Sequence, residues 1–237
     1  MSFVELSKSS GKGSFEINAK VPENNTNDER EQVLTVTKVA KGEKRYVTVR
    51  QAAGHVVVIP EFDYLVLRYD WRHTSGTDFD TATGFVNTGI EGVDGKLVGW
   101  SRRYEYTSEK IGNYLIHGGD NMSSGKEAAL INMKTLLDSN MESLPDFIQL
   151  SVYGNWYGAK GDGRVSISFT AYRGGIMRKE GFNFVNDGGE EVYLGSENTT
   201  VNAQGESNFQ NIPNLYTKMG TMEYDKNERS CMFYVNR

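Results

Sequence analysis

Apolar and polar residues alternate along much of this chain, with the two-residue period of half-buried strands. Phe15, Ile17, Ala19 and Val21 share one face of the stretch 14–21. Val33–Val39 and Arg45–Gln51 predict two more strands around Gly42-Glu43. In the second, Tyr46 and Thr48 share one face, and Val47 and Val49 the other. Tyr64–Trp71, Val98–Tyr104, Phe147–Tyr153 and Arg164–Ala171 continue the pattern, parted by turn signals at Asp94-Gly95, Gly174-Gly175 and Gly188-Gly189. One stretch is ambiguous: Leu130, Met133, Leu137 and Met141 fit a helix, whereas Ala129, Ile131 and Met133 fit a strand. Pro145 ends whichever forms there. Residues 1–12 read as a loose N-terminal arm. The polar, aperiodic stretch 195–215 reads as an extended arm that reaches a neighbour.

Composition narrows this picture. With 26 glycines and 11% aromatic residues, many turns and half-buried strands are favoured over long helices. A net charge of −5 disfavours a sequence-independent hold on nucleic-acid phosphates, which needs clustered cations. The single cysteine, Cys231, excludes an internal disulfide, and no Cys/His cluster has zinc spacing. No apolar run approaches the length of a membrane span, and the first residues lack the apolar core of a signal peptide. The expectation is a protein made in a cytoplasm, with no membrane or nucleic-acid partner.

The candidate chemistry centres on His117–Leu136. Gly118 and Gly119 permit tight turns, and Asp120 and Asn121 offer short oxygen side chains suited to turns and hard cations. Glu127 stands at the entry of the apolar run. Upstream, Asp78-Phe79-Asp80 as a strand would put both carboxylates on one face and the ring on the other. Gly119 to Lys126 is no phosphate loop: five residues separate its glycines instead of four, and Glu127 follows the lysine where Ser or Thr is required. His73 and His117 lie near these acids, although hard-oxygen chemistry is the simpler reading. Trp156-Tyr157, beside Gly158 and Gly161-Asp-Gly163, predicts an aromatic hairpin tip. Such a ring pair stacks on sugars, anchors a protein interface, or packs into the core. No nucleophile elbow, Ser/His/Asp spacing or hydrolase-like carboxylate pair occurs, so a non-enzyme is expected.

Two resemblances add to this reading. Tyr64–Trp71, Gly76-Thr-Asp-Phe-Asp80, His117-Gly-Gly-Asp-Asn121 with Glu127, Phe147–Tyr153 and Arg164–Ala171, in that order, resemble the TerD-like calcium-binding β-sandwich. That resemblance implies Asp78, Asp80, Asp120 and Glu127 as ligands of a weak calcium site, with calcium the one cofactor expected. It departs where the family's loop is acidic: here the loop reads Met122-Ser-Ser-Gly-Lys126, and lost ligand charge weakens calcium. The same acids would equally satisfy turn and strand-end backbone groups. Val21–Thr26, Arg30, Val33–Thr37 and Val47–Gln51 resemble the closing half of a BACON-like, immunoglobulin-like domain, without its opening tryptophan strand. The expected fold is mainly β: an incomplete Ig-like module at 1–54, then a TerD-like β-sandwich at 55–237 with one short helix.

A half-module with open sheet edges needs a covering partner. The combination resembles a virion structural protein of a Bacteroidetes (crAss-like) phage, a capsid auxiliary, decoration or fibre-base protein. That resemblance implies edge-strand and arm contacts with other virion proteins or copies of itself. The alternative is a calcium-dependent or glycan-binding adhesion module, with Trp156 and Tyr157 as the contact residues.

Overall fold

The computed structural model describes residues 4–12, 16–21, 30–38, 42–51, 55–72, 78–100, 107–123, 125–205 and 211–236. His73, Arg102 and Arg103 therefore lie outside the described residues. The chain divides into two compact units, Met1–Val56 and Val57–Arg237.

In the smaller unit β1 (Glu5–Leu6) pairs with β2 (Ala19–Lys20), and β3 (Arg30–Lys38) pairs with β4 (Glu43–Gln51). Residues 4–6 are thus held rather than forming a loose arm. Val4 is buried, and its amide donates to Gln32 Oε1 at 3.1 Å. The alternation that predicts β3 and β4 has no matching burial. Val33, Val36, Tyr46 and Val47 are each about half exposed or more, on both faces of the ribbon. An isolated two-stranded ribbon is marginal in water, because neither face excludes it.

The larger unit is mainly β. One six-stranded sheet runs β16 (Glu190–Thr200), β13 (Arg164–Arg173), β6 (Tyr64–Asp70), β11 (Lys126–Asn132), β10 (Leu115–His117), β9 (Lys110–Ile111). The other runs β5 (His55–Ile59), β18 (Ser230–Val235), β17 (Thr217–Asp225), β12 (Phe147–Tyr157), β7 (Asp78–Phe85), β8 (Val98–Gly99). A ribbon of β14 (Ile176–Glu180) and β15 (Asn183–Asp187) lies apart from both sheets in strand order. The inward residues of the two sheets form one apolar core, among them Leu67, Phe169, Leu150, Met222 and Phe233. A buried hydrogen bond of 3.0 Å between the Tyr69 and Thr83 hydroxyls joins the sheets, and burial pushes the Tyr69 phenol up.

The ambiguous stretch resolves into both readings in turn. β11 ends at Asn132, whose side chain caps α1 (Met133–Asn140) by accepting from the Thr135 amide at 3.0 Å. Met133, Leu136 and Leu137 then bury the helix's apolar stripe. A second, single-turn helix, α2 (Ile212–Leu215), was not signalled by the pattern.

The stretch 195–215 is not an arm over its first half. β16 carries it to Thr200 beside β13, and residues 201–205 then close on β12. There Trp156 N donates to Ala203 O at 3.0 Å, Gly205 N to Trp156 O at 2.9 Å, and Trp156 Nε1 to Val201 O at 3.2 Å. The backbone polar groups of a polar stretch are satisfied here by a sheet end rather than by water.

Gly154 lies where β12 passes over Phe79. A Cβ there would stand 2.4 Å from the Phe79 ring tip, and that ring is held between Trp71 and Trp156. Gly154→Ala should destabilise the larger unit by about 1–3 kcal/mol through overpacking, measured by urea unfolding.

Candidate metal centre

β7 starts at Asp78 and alternates strictly. Phe79 points inward and is wholly buried, with ring centroids 5.4 Å from Trp71 and 4.7 Å from Trp156. Asp78 and Asp80 consequently share the opposite side. Asp120 arrives from the loop after β10, and one carboxylate oxygen of each of Asp78, Asp80 and Asp120 lies within 4.8 Å of the others.

The glycine pair shapes that loop by two different means. Gly119 has φ +116°, a left-handed conformation that other residues resist. Gly118 provides clearance: a Cβ there would stand 2.7 Å from the Phe182 carbonyl oxygen. Asn121 holds the following turn, accepting from Ser123 N at 3.3 Å and donating to Lys126 O at 3.2 Å.

Glu127 does not join the three aspartates within that distance. It lies fully buried and takes the Thr81 hydroxyl at 2.7 Å on Oε2 and the Asn121 amide at 3.1 Å on Oε1. His117 Nε2 stands 3.4 Å from Oε2, and the imidazole is itself buried. Glu127 thus ties β7, β11 and the loop together while its charge bears on the aspartates. Thr81 was legible from the alternation, since it shares the Phe79 side of β7. Asn155, the β12 partner of Asp80, was not, because nothing local marks a residue 75 positions away.

Burial, followed by the charges of Asp120 and Glu127, pushes Asp78 up to about 6. Burial and the Glu127 charge push Asp120 up to about 6, against a smaller opposing effect of His117. Asp78 Oδ1, Asp120 Oδ1 and Asn155 Oδ1 are all buried with no hydrogen-bond partner. Several converging oxygens, short of donors and mutually repelled, fit a hard divalent cation of the calcium class. Asp78, Asp80 and Asp120 would hold it. The loop adds no further acid, and Lys126 enters β11 instead.

The aromatic pair is divided. Adjacent strand residues face opposite ways, so Trp156 turns into the core at 0% exposure while Tyr157 is 48% exposed beside Asp78. The expectation that both rings form an exposed contact surface is therefore corrected: only Tyr157 meets solvent.

Residues 1–52 match a family model. It is BACON, described as "Putative binding domain, N-terminal". The BACON match covers the four strands of the smaller unit up to β4 and none of Asp78, Asp80, Asp120 and Glu127. No curated protein and no solved structure matches the chain.

The raised carboxyls set a pH dependence. Both Asp78 and Asp120 hold their protons more tightly folded than unfolded, where an aspartate titrates near about 3.9. Their contribution to stability is present below about pH 4 and lost as pH rises through about 6. In chelator-treated protein, Asp78→Asn/Asp120→Asn should therefore gain stability relative to wild type between pH 4 and 7, read by denaturant midpoints at each pH.

Glu127→Ala removes the acceptor of the buried Thr81 hydroxyl and of the part-buried Asn121 amide. It should cost about 2 kcal/mol or more in urea unfolding, at about 1–3 kcal/mol for each orphaned group.

Proposed function

We infer that this chain is a non-enzymatic binding and assembly protein whose larger unit is braced by a calcium-class cation. The observation that carries this reading is the convergence of the Asp78, Asp80 and Asp120 oxygens within 4.8 Å. Without a counter-ion these carboxylates repel one another, and a bound cation would turn that repulsion into a link between β7 and the loop after β10. The resemblance of this unit to the TerD-like calcium-binding sandwich supports the same choice of ion. With three acids and no further one from the loop, binding is weak. The cation's work on this reading is structural.

The smaller unit supports assembly as the second half of the reading. Its ribbons expose Leu6, Val33, Val36, Tyr46 and Val47, and among the described residues β3 and β4 form a sheet of two strands. Unpaired edges recruit strands from neighbours. A structural protein of a phage virion, at a capsid surface or fibre base and contacting other virion proteins or copies of itself, meets that need. The alternative is a calcium-dependent adhesion module that works as a single copy.

Light scattering and thermal melts, with calcium and then chelator, separate these. Calcium at about ten times its Kd should stabilise by about 1.4 kcal/mol, which is about 3–6 °C, reversed by chelator and absent in Asp80→Asn. A mass above one chain favours assembly, and a calcium-stabilised single chain favours adhesion. A melt indifferent to calcium at every concentration would sink the cation reading.

A further inference from the structure

The outer face of the β16-β13-β6-β11-β10-β9 sheet is covered over only part of its area. The β14–β15 ribbon lays Phe184 against Val66, Ala128 and Leu130. Beyond it lies an open trough of about 510 Å³ lined by Asp70, Arg72, Ser166 and Ser168. Strand register extends this floor. Arg68 is the cross-strand neighbour of Ser168, Lys126 that of Asp70, and Ser196 and Asn198 those of Ser168 and Ser166. Directly opposed residues share a face, so all of these belong to one polar strip.

The charges there are unlike the rest of the chain. Arg68, Arg72 and Lys126 face one acid, Asp70, in a protein of net charge −5. Arg72 clamps Asp70 through Nε, 3.0 Å from each oxygen, and through Nη2 at 2.5 Å. Burial pushes the Asp70 carboxyl up, but the hydrogen bonds and charge of Arg72 and the charge of Arg68 outweigh it and hold Asp70 below the usual range. Arg68 Nε is buried and has no hydrogen-bond partner.

These groups define the ligand by what each lacks. Asp70 is already taken up by Arg72, so among the described residues of this strip the group short of a partner is the Arg68 guanidinium, which is donor-only and calls for an oxyanion. Ser166, Ser168, Ser196 and Asn198 give and take hydrogen bonds, as neighbours of a hydroxylated ring must. A phosphate dianion is disfavoured beside Asp70, and among the described residues no helix N-terminus adjoins the trough to offset it. We propose that this trough binds an acidic saccharide, with Arg68 on its carboxylate or sulfate and the serines and Asn198 on its hydroxyls. The site is separate from the aspartate cluster and needs no cation.

Titration calorimetry of the full chain in chelator, with an oligomer of glucuronate as probe, tests this. The acidic oligomer should bind, a neutral glucose oligomer of equal length should bind about tenfold more weakly or worse, and inorganic sulfate should only compete at high concentration. A sulfated glucose oligomer in the same series distinguishes the two oxyanions. Arg68→Gln should lose about tenfold or more, and Ser168→Val several-fold, with melting temperatures near wild type. If Arg68→Gln fails to fold, Ser168→Val decides. The proposal is overturned by no binding of either acidic oligomer, by equal affinity for the neutral one, by sulfate binding as well as the saccharide, or by folded variants that bind like wild type. Chelator throughout keeps this outcome independent of the calcium test.

Discussion

The larger unit depends on where one ring lies. Phe79 fills the space between Trp71 and Trp156, and three aromatics packed at tilted angles in a two-layer core are costly to displace. Because strand side chains alternate, burying Phe79 turns Asp78 and Asp80 to the same side, whatever their mutual repulsion. Gly154 makes room for the ring, and Trp156 is pinned in turn by the 201–205 segment. The acidic cluster is thus imposed by apolar packing, which supplies the free energy that holds like charges together.

Glu127 extends the same logic into the layer below. A fully buried carboxylate is tolerated because Thr81, Asn121 and His117 surround it with polar hydrogens. Each of those partners comes from a different segment, so the network records the fold as much as it serves a site. Its charge also raises the protonation range of Asp78 and Asp120. The centre is therefore short of positive charge by construction, and this is the physical ground for reading it as a cation site.

The two units differ in how complete they are. The larger closes a core between two six-stranded sheets. The smaller, which carries the BACON match, holds only paired ribbons among its described residues and leaves apolar side chains on both faces of β3–β4. The binding and assembly role we propose rests on the smaller unit's exposed apolar side chains.

The sequence by itself determined the strands, because a period of two and glycine turns are local signals. The alternation of 45–51 and 164–171 and the turns at 94–95 and 174–175 follow from side-chain spacing, whereas spacing left 127–141 open between strand and helix. It also determined that Asp78 and Asp80 share a face. What it left open was decided by packing. Trp156 and Tyr157 are adjacent in sequence, yet only the sheet's orientation says which one turns inward. Asn155 reaches Asp80, and Ser168 reaches Arg68, through strand register, which depends on contacts far apart in the chain. The stretch 195–205 looked free for the same reason: polar residues carry no period, and β13 and then the end of β12 gave their backbone its partners. Local spacing is written in one segment at a time, whereas a site is made where segments meet.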